Sequence, residues 1–199
     1  MISVVIQAGG QSSRMGVDKG LVPLAGRAMI EHVLARVAGL GTETLITTNN
    51  QDEYKYLGLR MASDEEPGAG ALPGLRTALR AAQGDTVLVV ACDMPFVNRL
   101  LLEHLLNLSG EADVVVPRWN DRYQTMQTVY ARKKCLKAVD EALAQGERRM
   151  ISFYPQVLVR HVPPEEIAEY DPSGRSFYNV NTPEELAEAE RFLARAKGY

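Results

Sequence analysis

The chain has 199 residues, 46% of them hydrophobic, which suits one packed domain and excludes a disordered chain. Its 22 basic and 25 acidic residues leave a net charge of −3, which argues against a protein built to coat nucleic acid. The two cysteines, Cys92 and Cys135, have neither metal-type spacing nor the density of a disulfide framework, and no apolar run approaches bilayer length. No basic leader precedes the first strand-like run, so a soluble, cytoplasmic protein without a membrane partner is expected.

In chain order, "ISVVIQ" (Ile2–Gln7) is a short apolar run that predicts a strand buried on both faces. "RAMIEHVLARVAG" places Ile30, Val33, Leu34 and Val37 on one helical stripe, ended by Gly39 and Gly41. "ETLITTN" and "LRMAS" predict further strands, and "GLRTALRAAQG" a helix facing the core with Leu75, Ala78, Leu79 and Ala82. "DTVLVVA" is an apolar strand, "NRLLLEHLLNL" a helix and "ADVVVP" a strand. This alternation predicts a parallel sheet with helices on both faces. After Pro117 the rhythm changes. "RWNDRYQ" predicts a polar, aromatic loop, "TMQTVYA" a strand, "KKCLKAVDEALAQG" a helix and "VLVRHV" a strand. Thr182, Pro183 and Glu185 form a capping box for a last helix whose stripe is Leu186, Ala189 and Leu193. A single domain over 1–199 is expected, in two parts, 1–117 and 118–199.

Open parallel sheets bind ligands at the carboxyl ends of their strands, so the loops after successive strands are read together. Gly9 and Gly10, with Arg14 and Lys19, follow the first strand. Asn49 follows the second, Asp64 with Gly68 and Gly70 the third, and Cys92-Asp93-Met94-Pro95 the fourth. Glycines allow close approach of backbone N–H groups to phosphate oxygens, and the two cations neutralise them. Asp93 is a natural Mg²⁺ ligand beside a phosphate. The set suits a nucleoside triphosphate with a divalent cation. Asp64 either accepts from a base N–H or caps its turn. Asn49 either reads a base edge or closes a turn. Asn179 and Asn181 flank Val180, so an extended backbone points both to one face, although turn chemistry ahead of a capped helix explains them equally. The histidines His32, His104 and His161 have no triad or metal spacing. Cys92 is expected to be buried rather than nucleophilic. Trp119 and Tyr123 either stack on a flat substrate or pack over a pocket.

"QAGGQSSRMGVDK" (Gln7–Lys19) resembles the glycine-rich signature of the nucleotidyltransferases that act on molybdenum cofactor. "GAGALPGL" (68–75), "CDMP" (92–95) and "NVNTPEEL" (179–186) are similar to that family's later motifs, and "GERRM" (146–150) resembles another. The likeness to molybdenum cofactor guanylyltransferases implies a three-layer α/β/α Rossmann-like nucleotidyltransferase fold with a mostly parallel central sheet. It implies transfer of GMP from GTP to the terminal phosphate of Mo-molybdopterin, with pyrophosphate released and Mg²⁺ required. Molybdoenzymes or cofactor chaperones are the candidate protein partners. Carried onto this sequence, Gln7, Ala8, Gly9 and Gly10 would contact nucleotide, Arg14 and Lys19 its phosphates, Asn49 and Asp64 the guanosine, and Asp93 both nucleotide and Mg²⁺. Asn179 and Asn181 would line the pterin side, and the arginines of "GERRM" would meet an anion. Arg14, Lys19 and Asp93 would carry catalysis. The chain departs from the pattern at Gln7, where the family has leucine. It also departs at Ala71 and Pro73, which stand exchanged, and at Tyr123-Gln124, where the family often has His-Pro. A cytidylyltransferase on the same cofactor and a non-catalytic nucleotide- or cofactor-binding module are the alternatives.

Overall fold

The computed structural model describes residues 1–9 and 18–196. Gly10 and Arg14 lie outside the described residues. The strands are β1 (Ile2–Gln7), β2 (Pro23–Leu24), β3 (Arg27–Ala28), β4 (Glu43–Thr47), β5 (Arg60–Ala62), β6 (Thr86–Ala91), β7 (Val114–Trp119), β8 (Arg122–Tyr123), β9 (Gln127–Ala131) and β10 (Val159–Val162). The α-helices are α1 (Met29–Val37), α2 (Gln51–Tyr54), α3 (Ala71–Ala81), α4 (Arg99–Asn107), α5 (Arg132–Ala144), α6 (Pro164–Ala168) and α7 (Pro183–Ala196). An eight-stranded sheet runs β10-β7-β9-β6-β1-β4-β5, with β8 paired to β7 at its end. β9 is antiparallel to both neighbours, β8 is antiparallel to β7, and the other pairings of this sheet are parallel.

β1 and β6 are central because side chains on both of their faces are apolar. Val4 and Ile6 of β1, with Leu88 and Val90 of β6, face a layer built by α1, α4 and α6. Val5, Val87 and Val89 face the opposite layer, built by α3 and α5. The helices therefore cover both faces, as the alternation of elements predicts, and the sheet is mostly parallel. A third, smaller cluster joins Val22 and Leu24 of the β2–β3 hairpin to Phe96, Val180 and Ala189. It fastens α7 and the segment before it against the first third of the chain.

Two segments differ from the sequence reading. "RWNDRYQ" is not simply a loop: β7 continues to Trp119 and turns back into β8. Asn120 and Asp121 make the turn with φ of 48° and 57°, and these two residue types tolerate the left-handed region best after glycine. The helix expected from Gly74 begins earlier, at Ala71. Pro73 is accepted because it lies in the first turn, where its missing N–H is not needed. Gly70 precedes the helix with φ of 114°, a conformation that favours glycine.

The glycine that directly follows the first long motif, Gly20, has a packing role. A Cβ on Gly20 would lie 2.5 Å from the hydroxyl of Tyr54 and 3.2 Å from Sγ of Cys92. Tyr54 is fully buried, so it has little room to yield. Gly20→Ala is expected to destabilise the protein by about 1–3 kcal/mol, read as a lower urea midpoint; an unchanged midpoint would contradict this packing.

Candidate functional site

β1 and β6 are in parallel register, with Gln7 opposite Ala91, so the loops that follow them leave the same edge of the sheet. The amide of Cys92 donates to the carbonyl of Gln7 at 3.0 Å, and the amide of Ala8 donates to Thr47 at 2.8 Å. These bonds extend the sheet by one residue and bring Gly9 and Asp93 out at its rim. Cys92 is 6% exposed, and burial pushes its thiol well above the usual range, which makes it a packing residue.

Lys19 is held by its neighbour. Asp18 caps the short turn Lys19–Leu21 by accepting from Gly20 N–H at 3.1 Å. The same carboxylate accepts from the Tyr54 hydroxyl and, at 3.2 Å, from Nδ2 of Asn50. The ammonium of Lys19 then donates to Oδ1 of Asn181 at 2.6 Å and sits 3.8 Å from Oδ2 of Asp93. Asn181 is itself fixed by the start of α7. Its amide donates to Oε2 of Glu185 at 2.6 Å, and Thr182 N–H donates to the same oxygen at 3.0 Å. Glu185 N–H donates in return to the Thr182 hydroxyl at 3.2 Å, completing the expected capping box. The amide of Val180 donates to the carbonyl of Asp93 at 2.9 Å. "NVNTP" is therefore helix-entry chemistry and site chemistry at once. It lies outside any strand, yet Asn179 and Asn181 both reach the same edge.

Asp93 is the most unusual group here. Its side chain is 14% exposed, and its Oδ1 is buried with no hydrogen-bond partner among the described residues. Burial raises its pKa above the ordinary aspartate value; the ammonium of Lys19 opposes this and Glu185 adds to it. A buried, unsatisfied carboxylate oxygen is costly to the fold unless something binds it.

Three cavities line this edge in sequence. The middle one, of about 320 Å³, is lined by Gln7, Ala8, Gly9, Lys19, Asp93 and Asn179, together with Asp18 and Met126. A second, of about 590 Å³, contains Asn49, Asp64, Gly68, Gly70 and Gly74 and shares Gln7, Gly9 and Met126 with the first. A third, of about 850 Å³, lies on the other side and shares Asn179 with the middle one. Asn49 accepts the amide of Asp64 at 2.9 Å, so it ties the loop after β4 to the loop after β5. A Cβ on Gly9 would lie 3.6 Å from Oδ2 of Asp64, so that carboxylate stands beside Gly9 in the second cavity.

The site residues proposed from sequence that fall in the described part, Gln7, Ala8, Gly9, Lys19, Asn49, Asp64, Asp93, Asn179 and Asn181, all line these cavities. "GERRM" approaches through its backbone: Arg148 C=O accepts the Leu72 amide at 3.2 Å and braces the start of α3. The Arg148 guanidinium donates to the carbonyl of Glu147 at 2.9 Å, and Arg149 is exposed. Tyr123 packs on His161 and Tyr154, away from the cavities, whereas Trp119 lines the third. Two contributors escaped the sequence reading. Asp18 stands in the quoted motif but was assigned no role; its Asp-Lys-Gly setting is a capping signal. Met126 lines two cavities and carries no sequence signal for it. His32 donates from Nε2 to the Leu24 carbonyl at 2.8 Å, and His104 pairs with Glu166 at 2.7 Å, so neither belongs to the site.

The pattern of the MobA-like NTP transferase domain matches residues 4–160. A probable molybdenum cofactor guanylyltransferase of Pelotomaculum thermopropionicum is 37% identical over 185 residues, which cover 93% of this chain and 90% of that protein. The molybdenum cofactor guanylyltransferase of Vibrio campbellii is 35% identical over 189 residues, covering 94% and 93%. The crystal structure of molybdopterin-guanine dinucleotide biosynthesis protein A from Archaeoglobus fulgidus superposes with a TM-score of 0.82 at 27% identity, covering 97% of this chain and 99% of that one. Gly9 after β1, the aspartate after β6 and the asparagines ahead of α7 thus sit on a shared fold, and the chain belongs to the MobA-like nucleotidyltransferases, with the molybdenum cofactor guanylyltransferases.

Proposed function

We propose that this chain transfers the GMP part of GTP to the terminal phosphate of Mo-molybdopterin, releasing pyrophosphate. The observation that carries the reading is the junction of Lys19, Asp93 and Asn181 between two larger cavities, in a chain of this family. GTP then lies with its base against Asp64, Asn49 and the Gly68–Gly74 wall, and its phosphates in the middle cavity. Gln7 and Gly9 line both cavities and so border the ribose and α-phosphate. Asn179 stands where the middle cavity opens to the acceptor side.

The residues present fit Mg²⁺. Oδ1 of Asp93 is a hard oxygen donor, buried and otherwise unpaired among the described residues. Among those residues no cluster of three or more His, Cys, Asp or Glu forms a complete metal cage. That suits Mg²⁺, which is commonly held by one or two carboxylates plus substrate phosphates and water. When bound, the ion would neutralise phosphate charge and offset the negative balance of Asp18 and Asp93 against Lys19. Arg14 would add a second cation from the first loop.

The acceptor is a phosphate monoester, largely ionised near neutral pH, so no strong general base is needed. One of its oxygens forms a bond to the α-phosphorus as the bond to the bridging oxygen of the leaving pyrophosphate breaks. Catalysis reduces to alignment and charge stabilisation. Lys19 serves both ends of this requirement, because Asn181 and the capped start of α7 aim its ammonium at Asp93. Among the described residues no helix is long and apolar enough to cross a membrane, and both cysteines are free and buried, which supports a cytoplasmic site of action.

Pyrophosphate release from each nucleoside triphosphate with Mg²⁺ and Mo-molybdopterin tests the reading. GTP should support release, and CTP should not. Asp93→Ala and Lys19→Ala should each lower turnover by about 10²-fold or more without unfolding the protein; near-wild-type rates would contradict the assignment. Asp93→Asn should be inactive and yet melt at or above the wild-type temperature without ligands, because a raised pKa means the fold disfavours the charged carboxylate. A clear drop in melting temperature would show that the carboxylate is stabilised by the protein itself. Asn181→Ala should weaken GTP binding about tenfold even without acceptor, and should add nothing in a Lys19→Ala background. Unchanged GTP binding, with only the acceptor affected, would confine Asn181 to the acceptor side.

A further inference from the structure

The segment that carries Asp64 has little apolar contact to hold it. Residues 63–70 lie outside helices and strands, and Glu65, Glu66, Pro67 and Gly68 are exposed, so burial does not place them. Asp64, Glu65 and Glu66 are three successive carboxylates, which repel one another and favour an open chain. Yet this segment forms one wall of the second cavity. Polar contacts therefore decide where it sits. On one side the Asp64 amide donates to Asn49 at 2.9 Å, and Nε2 of Gln51 donates to the Ser63 hydroxyl at 2.9 Å. Pro67 and Gly68 then make a tight turn, closed by Ala69 N–H donating to the Glu66 carbonyl at 3.2 Å, with φ of 76° at Gly68.

The other side is ionic. Arg76 and Arg80 stand four residues apart on α3, so they share one face of that helix. Nη2 of Arg76 donates to Oε1 of Glu66 at 2.8 Å and lies 3.3 Å from Oε2 of Glu65. Nη1 of Arg80 donates to both Glu65 oxygens at 2.8 Å, while its Nη2 donates to Asp140 of α5 at 3.1 Å. Glu65 is gripped by two guanidinium groups, and the grip is anchored on a second helix. Exposed ion pairs taken singly contribute little. Here the pairs share partners, and the Arg76 side chain is 13% exposed, where water screens its charge less. The same helix supplies Ala71 and Gly74 to the cavity, so α3 sets the spacing between that wall and Asp64.

We propose that Arg76 and Arg80 are positioning residues for base recognition: by gripping Glu65 and Glu66 they hold the Asp64 carboxylate in the cavity that takes guanine. Neither arginine lines any of the three cavities, so both act through the loop rather than on the nucleotide. The proposal rests on the nucleotide placement given above and adds the device that makes it selective. A carboxylate held still there accepts from the adjacent N1 and N2 hydrogens of guanine, a donor pair that adenine and cytosine lack. The clamp therefore acts on affinity for the base and not on alignment of the phosphates.

Two fragments of the nucleotide separate these effects. Guanosine carries the base without charge, and Mg²⁺-tripolyphosphate carries the charge without a base. Arg76→Gln and Arg80→Gln should each raise the Kd for guanosine about fivefold and leave the Kd for Mg²⁺-tripolyphosphate at the wild-type value. At saturating GTP their turnover should match wild type, with KM for GTP raised by a similar factor. Raising salt from about 0.05 M to about 0.5 M should weaken guanosine binding to the wild-type chain and barely alter it in Arg76→Gln, because screening removes what the substitution has already removed. In an Asp64→Asn background Arg76→Gln should add nothing. Guanosine affinity within about twofold of wild type in both arginine variants, with Asp64→Asn impaired, would overturn the proposal alone. So would an equal loss of tripolyphosphate affinity, or an additive loss in the Asp64→Asn background. Wild-type guanosine affinity in Asp64→Asn itself would overturn the placement of the base and, with it, this proposal.

Discussion

The parallel pairing of β1 with β6 is the constraint from which the site follows. Both strands are apolar on both faces, so they must lie in the middle of the sheet with helices above and below. Their register then delivers Gln7 and Ala91 to the same edge, and the bond from Cys92 N–H to Gln7 C=O carries the pairing one step further. Gly9 and Asp93 emerge side by side because burial of valine and isoleucine holds β1 next to β6. Chemistry at the rim is positioned by packing in the core.

The end of the chain closes the site from the other direction. α7 packs on the β2–β3 hairpin through Leu24, Phe96, Val180 and Ala189, and its capping box fixes Asn181. Lys19 and Asn181 are 162 residues apart in sequence and 2.6 Å apart in space. Helix capping, a local device worth about 1 kcal/mol, thereby acquires a second use, since it aims the amide that aims the lysine. Asp93 is the counterweight. Its buried oxygen, unpaired among the described residues, is a local cost to the fold, and under the proposed reaction a divalent cation would relieve it, the usual compromise between stability and function at active sites.

Much of this was legible in the residues themselves. Apolar runs and helical stripes located the central strands and helices, because burial on two faces or one leaves a periodic trace. Asp93 stood out because a carboxylate follows so apolar a strand. Thr182-Pro183-Glu185 announced the start of α7 through its hydrogen-bonding pattern. Other features had no such trace. The role of Asn181 depends on a lysine far away in the chain, and Met126 faces two cavities only because of how β9 enters the sheet. The β7–β8 hairpin carried a signal in Asn120-Asp121, but polar residues around it resemble any surface loop. Trp119 and Tyr123 look alike in sequence, and only the hairpin register sends one to the cavity and the other to the opposite face. The family likeness narrowed polyphosphate chemistry to guanylyl transfer, which spacing and charge alone leave open.

The central claim is an order along one edge: nucleoside, then phosphates at Asp93 and Lys19, then acceptor. A crystal structure with Mg²⁺ and a non-hydrolysable GTP analogue tests it most directly. The account predicts guanine between Asp64 and the Gly68–Gly74 wall, the α-phosphate beside Gly9 and the metal on Oδ1 of Asp93. Guanine stacked on Trp119, or a metal held away from Asp93, would contradict it.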